Sequence, residues 1–395
     1  MSSSINPVSN TNEDFEGRHI AVLSLHTSPF IQPGYGDSGG MNVYIRELVG
    51  SLAHKGAKCS VYVRRWEKAL PDEELIEPGV RLVHIDAGNP ELKKNELVDV
   101  VDEFSEGVER DLLLSPEADV LHANYWLSGI SGHALKHRLG LPLVTTFHTL
   151  GKTKISSGEF ESRERIKMEQ EIITCSDIVV ANSVDEANQL KDLYAAPEER
   201  VAVVPLGVEH AFFAPGNQDA ARAAIGLGRG PVVTYVGRVQ SLKGVDLALE
   251  MFAELRTENG VLLIVGGASG TGGDNEVRKL NQRIKELDLE EQVRLIPPQP
   301  HHILSTYYRA SDIVVVPSKS ESFGLVALEA AACGTPVVAA SVGGLNDLVL
   351  HGKTGYLVNE RDPKLYAHYA HQILENPLHA AEIAMSAVEK AQQYS

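Results

Sequence analysis

Short apolar runs recur along the chain, and each is followed by a stretch of helical period. "HIAVLSLH" (19–26), "CSVYVRR" (59–65), "VRLVHIDA" (80–87), "DVLHAN" (119–124), "LPLVTTFH" (141–148), "DIVVANS" (177–183) and "RVAVVPLG" (200–207) read as strands. They are rich in Val, Ile and Leu on both faces, the pattern of a parallel sheet covered by helices on each side. A Pro- and Gly-bearing connector, "VEHAFFAPGNQD", interrupts the rhythm. It restarts with "PVVTYVGR" (231–238), "VLLIVGG" (261–267), "QVRLIPP" (292–298), "DIVVVPS" (312–318) and "TPVVAAS" (335–341). Helical patterns such as "NEVRKLNQRIKELDL" (275–289) fill the gaps. The pattern predicts an α/β chain of two successive doubly wound domains, with a boundary near 208–216. We divide it into a polar, disordered tail (1–18), an N-terminal domain (19–208) and a C-terminal domain (209–395). In such sheets ligands sit beyond the carboxyl ends of the strands, so the residues just after each strand are the ones to interrogate.

Composition narrows the classes. At 395 residues the chain exceeds one ordinary core. The net charge of −17 argues against a nucleic-acid or anionic-membrane partner, since both favour a basic footprint. No long apolar run or signal-like leader is present, so a cytoplasmic protein is expected. Cys59, Cys175 and Cys333 are scattered in apolar runs and read as small buried hydrophobes, with no metal ligands assigned.

"QPGYGDSGGMNVYIREL" (32–48) spells G-x-G-x-x-G through Gly34, Gly36 and Gly39. In a dinucleotide fold the first glycine follows the first strand almost directly, so that a pyrophosphate meets the helix N-terminus. Here "TSPFIQP" intervenes, and no Gly-Lys-Ser/Thr follows to make a nucleotide-triphosphate loop. What survives is Gly39 and Gly40 at a helix start, where backbone can approach a ligand and N–H groups favour negative charge. Asp37 and Asn42 add polar side chains.

The second half carries the sharper signal. "YVGRVQSLKG" places Arg238 just after a strand and Lys243 five residues on. Two cations there suit a diphosphate leaving group. In "PSKSESFGLVALEAAACGTPVVAA", Glu321 precedes a helix that Ser322 is expected to cap. The N–H groups at Gly324 and Leu325 can meet a phosphate, and Glu329 lies about two turns in. His148, at a strand end, reads either as a buried capping imidazole or as a sugar contact, and the second reading is favoured.

"SGGMNVY", "GRVQSLKG" and the paired glutamates together resemble the retaining GT-B glycosyltransferases of family 4, from His19 to about Ala391. The resemblance implies two Rossmann-like domains facing a cleft and a UDP-sugar co-substrate. It implies a UDP-sugar-dependent hexosyltransferase with no catalytic metal, although it admits a structural Mg ion. Catalytic roles would fall on Arg238, Lys243, Glu321 and His148. Donor contacts would come from Gln32, Pro33, Gly40, Arg238, Lys243, Gln299, Glu321, Phe323, Gly324, Leu325 and Glu329. "HTSPFIQPGYGDSGGMNVY", "HANYWLSG" and "FHTLGKTK" are most similar to the branch that moves N-acetylglucosamine from UDP-GlcNAc to 1D-myo-inositol 3-phosphate in mycothiol biosynthesis. That similarity implies acceptor contacts at His26, Asp37, Ser38, Gly39, Gly40, Met41, Asn42, Lys94, Tyr125, Thr149 and Arg165. It implies a phosphorylated polyol as second substrate and a homodimer. Taken by themselves, Lys94 lies in a charged run and Arg165 on a charged helix.

Two departures stand out. Gln299 occupies a position where some relatives carry Arg, and many relatives continue past this "QQYS" end into an aromatic-bearing helix. The expected chemistry is a front-face transfer, because no carboxylate is placed as a covalent nucleophile. The alternatives are a sucrose-phosphate synthase-like transferase and, less favoured, a UDP-GlcNAc 2-epimerase-like isomerase.

Overall fold

The computed structural model describes residues 15–34, 37–114, 117–268 and 273–394. The first fourteen residues of the expected tail lie outside the described residues, as does Gly36 of the G-x-G-x-x-G spelling. The chain divides into two compact units. The first comprises residues 1–28, 44–146 and 175–178, and the second comprises 29–43, 147–174 and 179–395.

Fourteen strands are described: β1 (His19–Ser24), β2 (Lys58–Arg64), β3 (Glu73–Glu77), β4 (Val80–Ile85), β5 (Val120–Asn124), β6 (Leu143–Thr146), β7 (Ile178–Ala181), β8 (Val201–Val203), β9 (Val232–Val236), β10 (Val261–Val265), β11 (Val293–Ile296), β12 (Ile313–Val316), β13 (Val337–Ala340) and β14 (Tyr356–Val358). Each of the twelve runs read as strands overlaps one of these, and each strand so matched lies within its run except β2, which begins one residue before it.

In the first unit the strand order is β3-β4-β2-β1-β5-β6. β1 pairs in parallel with β2 (Val22 opposite Val61) and with β5 (Val22 opposite His122). Every β1 side chain is buried, as a two-sided parallel strand requires. β3 is antiparallel to β4 and almost wholly exposed. Its glutamates sit on a sheet edge, where charge discourages pairing with another chain. The second unit holds a six-stranded sheet in the order β11-β10-β9-β12-β13-β14. Its core joins Val233 and Ile264 of the sheet to Leu247, Met251 and Phe252 of helix Val245–Leu255, and to Tyr366 and Ile373 of helix Pro363–Leu374.

Topology positions the chemistry. In the second sheet the chain runs outward from β9 through β10 to β11 and returns to the other side of β9 as β12. The loops after β9 and β12 therefore diverge at a switch point, where an open α/β sheet offers a crevice. In the first unit β1 and β5 stand in the same relation.

Candidate active site

The loop after β9 leaves the sheet through Gly237, and Tyr235 donates its buried hydroxyl to the Arg238 carbonyl at 2.9 Å. Burial holds that phenol far above its ordinary pKa despite the opposing charge of Arg238, so it remains a donor. Residues Ser241–Lys243 form one 3₁₀ turn that ends at Gly244, φ 73°. A Cβ at Gly244 would lie 2.2 Å from the Pro317 carbonyl oxygen, so the close approach of the two loops needs glycine. Lys319 ties the loops again, its N–H donating to the Leu242 carbonyl and its ammonium to Ser241 Oγ, each at 2.8 Å.

This bracing brings together what the sequence separates. Lys243 Nζ meets Glu321 Oε2 at 2.7 Å, and Ser318 Oγ donates to the same oxygen at 3.1 Å. The pair is only partly exposed, at 26% and 18%. It is an ion pair at a strand-end crevice, with ammonium protons still able to serve an incoming anion. A third loop, after β13, locks Glu321 from behind. Gly344 N–H donates to the Glu321 carbonyl at 3.0 Å, and a Cβ on Gly343 would fall 1.8 Å from that oxygen.

The helix that follows is Leu325–Ala332, and its N-cap is Gly324 at φ 108°. Ser322 is not the cap that was expected. Its hydroxyl donates to the His148 carbonyl, and Gly324 makes the turn because the strained φ there suits glycine. His148 itself adopts φ 62°, and its carbonyl is thereby tied to the loop bearing Glu321. Glu329 is 3% exposed and accepts from His301 Nε2 at 2.6 Å and from Tyr308 at 2.7 Å. Its carboxylate is oriented by two partners that the sequence reading missed. His301 follows β11 closely enough to have been flagged by the strand-end rule. Phe323 is buried and meets the ring of Tyr394 edge-on at 5.9 Å.

The glycine loop also belongs to the second unit. Gln32 Nε2 donates to the Pro298 carbonyl at 3.0 Å, and Gly34, at φ 92°, passes so close to Pro298 that a Cβ would lie 2.9 Å away. Pro33 and Asp37 flank this turn, which closes by a Gly34 N–H to Ser38 carbonyl bond of 3.0 Å. Helix Gly40–His54 follows directly on Gly39. The Gly39 N–H was expected to face a ligand, but it donates to Asn42 Oδ1 at 3.0 Å. Asn42 thus supplies the returning half of a capping box instead of an open polar side chain. Gly39 and Gly40 still permit close approach: built Cβ atoms would stand 3.8 Å from Arg238 Nε and 3.5 Å from Leu325. Met41 lies in the first turn of this helix. Gln299 bonds the Pro297 carbonyl at 2.8 Å.

Of the acceptor candidates, Arg165 is 2% exposed. Its guanidinium reaches Glu169 at 2.8 Å, Glu161 at 2.6 Å and the Thr149 carbonyl at 2.9 Å. Glu169 also accepts the Gly151 N–H and the Tyr194 hydroxyl. The charged helix seen in the sequence is therefore a buried network with Thr149 at its edge. In the first unit, Lys94 Nζ lies 5.0 Å from the centre of the Tyr125 ring, and His26 packs on that ring at 4.6 Å. Tyr125 has φ 75° just beyond β5, a strained position of the kind that gathers at functional sites.

The Mg ion admitted by the resemblance would need oxygen donors. Among the described residues, the group of three or more metal-ligating side chains that converges is His133, His137 and Cys175. Its nitrogen and sulfur donors do not suit Mg.

Residues 217–393 match the family model described as "Glycosyl transferases group 1", and residues 38–212 match "Glycosyltransferase Family 4". A D-inositol 3-phosphate glycosyltransferase of Thermobispora bispora is 42% identical over 95% of this chain and 91% of its own. D-inositol 3-phosphate glycosyltransferase 2 of Catenulispora acidiphila matches at 42% with the same coverage. Among solved structures, the sucrose-phosphate synthase of Thermosynechococcus elongatus superposes with TM-score 0.90 at 30% identity, covering 95% of this chain and 94% of that one. The glycosyltransferase WaaG shares the fold at TM-score 0.71 and 17% identity, over 95% and 96% of the two chains. The fold is GT-B and the protein is a glycosyltransferase, an enzyme. The chain belongs to the family that the D-inositol 3-phosphate glycosyltransferases form within the family 4 glycosyltransferases.

Proposed function

We propose that the enzyme transfers N-acetylglucosamine from UDP-GlcNAc to 1D-myo-inositol 3-phosphate with retention at the anomeric carbon, in the cytoplasm. One structural observation carries the reading: Lys243 and Glu321 paired at 2.7 Å at the switch point of the second sheet. The names of the relatives, at 42% identity over 95% of the chain, support the acceptor.

In this reading the donor diphosphate lies against Arg238, Lys243 and the N–H groups of Gly324 and Leu325. Cations and a helix start stabilise charge as it develops on the leaving group. Lys243 orients Glu321 through their ion pair while donating a second hydrogen bond to phosphate. Glu321 takes hydrogen bonds from the sugar hydroxyls, and His148 contacts the sugar. Glu329, held by His301 and Tyr308, accepts from the ribose. Gln32, Pro33, Gln299 and Phe323 line the donor. The acceptor hydroxyl attacks from the face that the diphosphate leaves and passes its proton to the departing phosphate. Lys94, beside Tyr125, supplies a cation and a phenol for the acceptor phosphate, and His26 borders the inositol ring. Thr149 adds a hydroxyl, and Arg165 acts through it as a positioning residue.

A second reading keeps the donor chemistry and changes the acceptor to a hexose phosphate. The fit to a sucrose-phosphate synthase favours it. A UDP-release assay with UDP-GlcNAc and a panel of phosphorylated polyols and hexoses separates the two. Release strongest with the inositol phosphate supports the proposal, and release strongest with fructose 6-phosphate replaces it.

A further inference from the structure

We propose that the first unit carries a binding site for a borderline-soft divalent cation of the Zn²⁺ class, formed by His133, His137 and Cys175. The two histidines are four residues apart on helix Trp126–Leu139, so both point from one face of it. Their rings lie 5.0 Å apart. Cys175 comes 38 residues later, and its sulfur stands 3.3 Å from His137 Nε2. One ligand atom from each of the three lies within 4.8 Å of the others. His137 is exposed and the other two are half-buried, so a cation can enter from solvent.

Two imidazoles and a thiolate match Zn²⁺, Co²⁺ or Ni²⁺ and not Mg²⁺ or Ca²⁺. Three protein ligands leave a fourth tetrahedral position for water. Asp177, two residues beyond Cys175, has its Oδ2 already engaged. The same oxygen accepts from Lys136 Nζ at 2.6 Å and from the Leu143 N–H at 2.8 Å. Lys136 also donates to the Cys175 carbonyl at 2.9 Å, which already holds the 175–178 segment against the helix. The cation would add a second tie at the same place, a clip on the helix that begins at Trp126. Cys59 and Cys333 are buried, and burial pushes both thiols up to about 12, so neither competes.

The test is Co²⁺ titration of the full chain, followed by its visible and near-ultraviolet spectrum, with Zn²⁺ competition. The expected result is one equivalent bound with a thiolate-to-metal charge-transfer band that Zn²⁺ removes. Cys175→Ser abolishes the band. His133→Ala and His137→Ala each weaken binding at least about tenfold, since each removes one of three ligands. Circular dichroism and turnover of the three variants stay those of the parent, which shows that they fold. Absence of the band in the parent, or a band that survives in Cys175→Ser, overturns the proposal.

Discussion

Lys243 and Glu321 stand 78 positions apart in the chain and 2.7 Å apart in the fold. Each was legible as a candidate because each follows a strand, but their contact was not, since nothing local encodes a pairing of that separation. Arg165 shows the opposite failure. Its charged neighbours suggested a solvated helix face, whereas Glu161, Glu169 and Tyr194 fold around it and leave it 2% exposed. Cys175 read as a buried hydrophobe because the two histidines beside it lie 38 and more residues away. If the proposed roles hold, Lys243→Ala and Glu321→Gln each lower kcat by about a hundredfold or more, the scale of losing one donor to developing charge. The pair is only partly exposed, at 26% and 18%, and breaking it should shift stability by about 1 kcal/mol. Steady-state kinetics beside thermal melts check both halves of this expectation.

At the scale of elements, the strands of two-sided apolar character were readable from pattern alone. β3 was not, because "EELIE" is charged and exposed, and the three-residue β14 was not read either. The loops after strands were singled out, yet their interlocking rests on backbone approaches that only coordinates reveal. Gly343 is the sharpest case. Gly343→Ala must displace the Glu321 carbonyl, 1.8 Å from the new Cβ, and should cut kcat/KM at least about tenfold while lowering Tm. Gly352→Ala is the control: its φ of 74° is comparable, but nothing stands within 4 Å. It should cost about 1 kcal/mol of stability and leave kcat/KM unchanged. Equal activity losses in the two variants would remove the bracing role from the β13 loop.

For the whole molecule, stability should depend on pH through Glu186. This carboxyl is 3% exposed and accepts the Asn182 N–H at 2.7 Å. Burial raises its pKa from 4.5 to about 7. Because the folded value lies above the unfolded one, ionisation costs nothing below pH 4.5 and its full amount above pH 7. At about 1.4 kcal/mol per pH unit, the cost reaches about 3 kcal/mol. Glu186→Gln should therefore gain on the parent as pH rises through this window, read as the difference between their urea midpoints. A constant difference from pH 4.5 to 7.5 would contradict the burial argument.

The acidic balance of −17 and the alternating βα pattern made the class of the molecule readable, but the donor sugar and acceptor came from resemblance and not from physics. The most direct test is therefore the product itself: incubation of the enzyme with UDP-GlcNAc and 1D-myo-inositol 3-phosphate, with proton NMR of the isolated product. The account predicts an N-acetylglucosaminyl inositol phosphate whose anomeric proton shows the small coupling of the α configuration present in the donor. A β-linked product, or free N-acetylglucosamine with no conjugate, would contradict it.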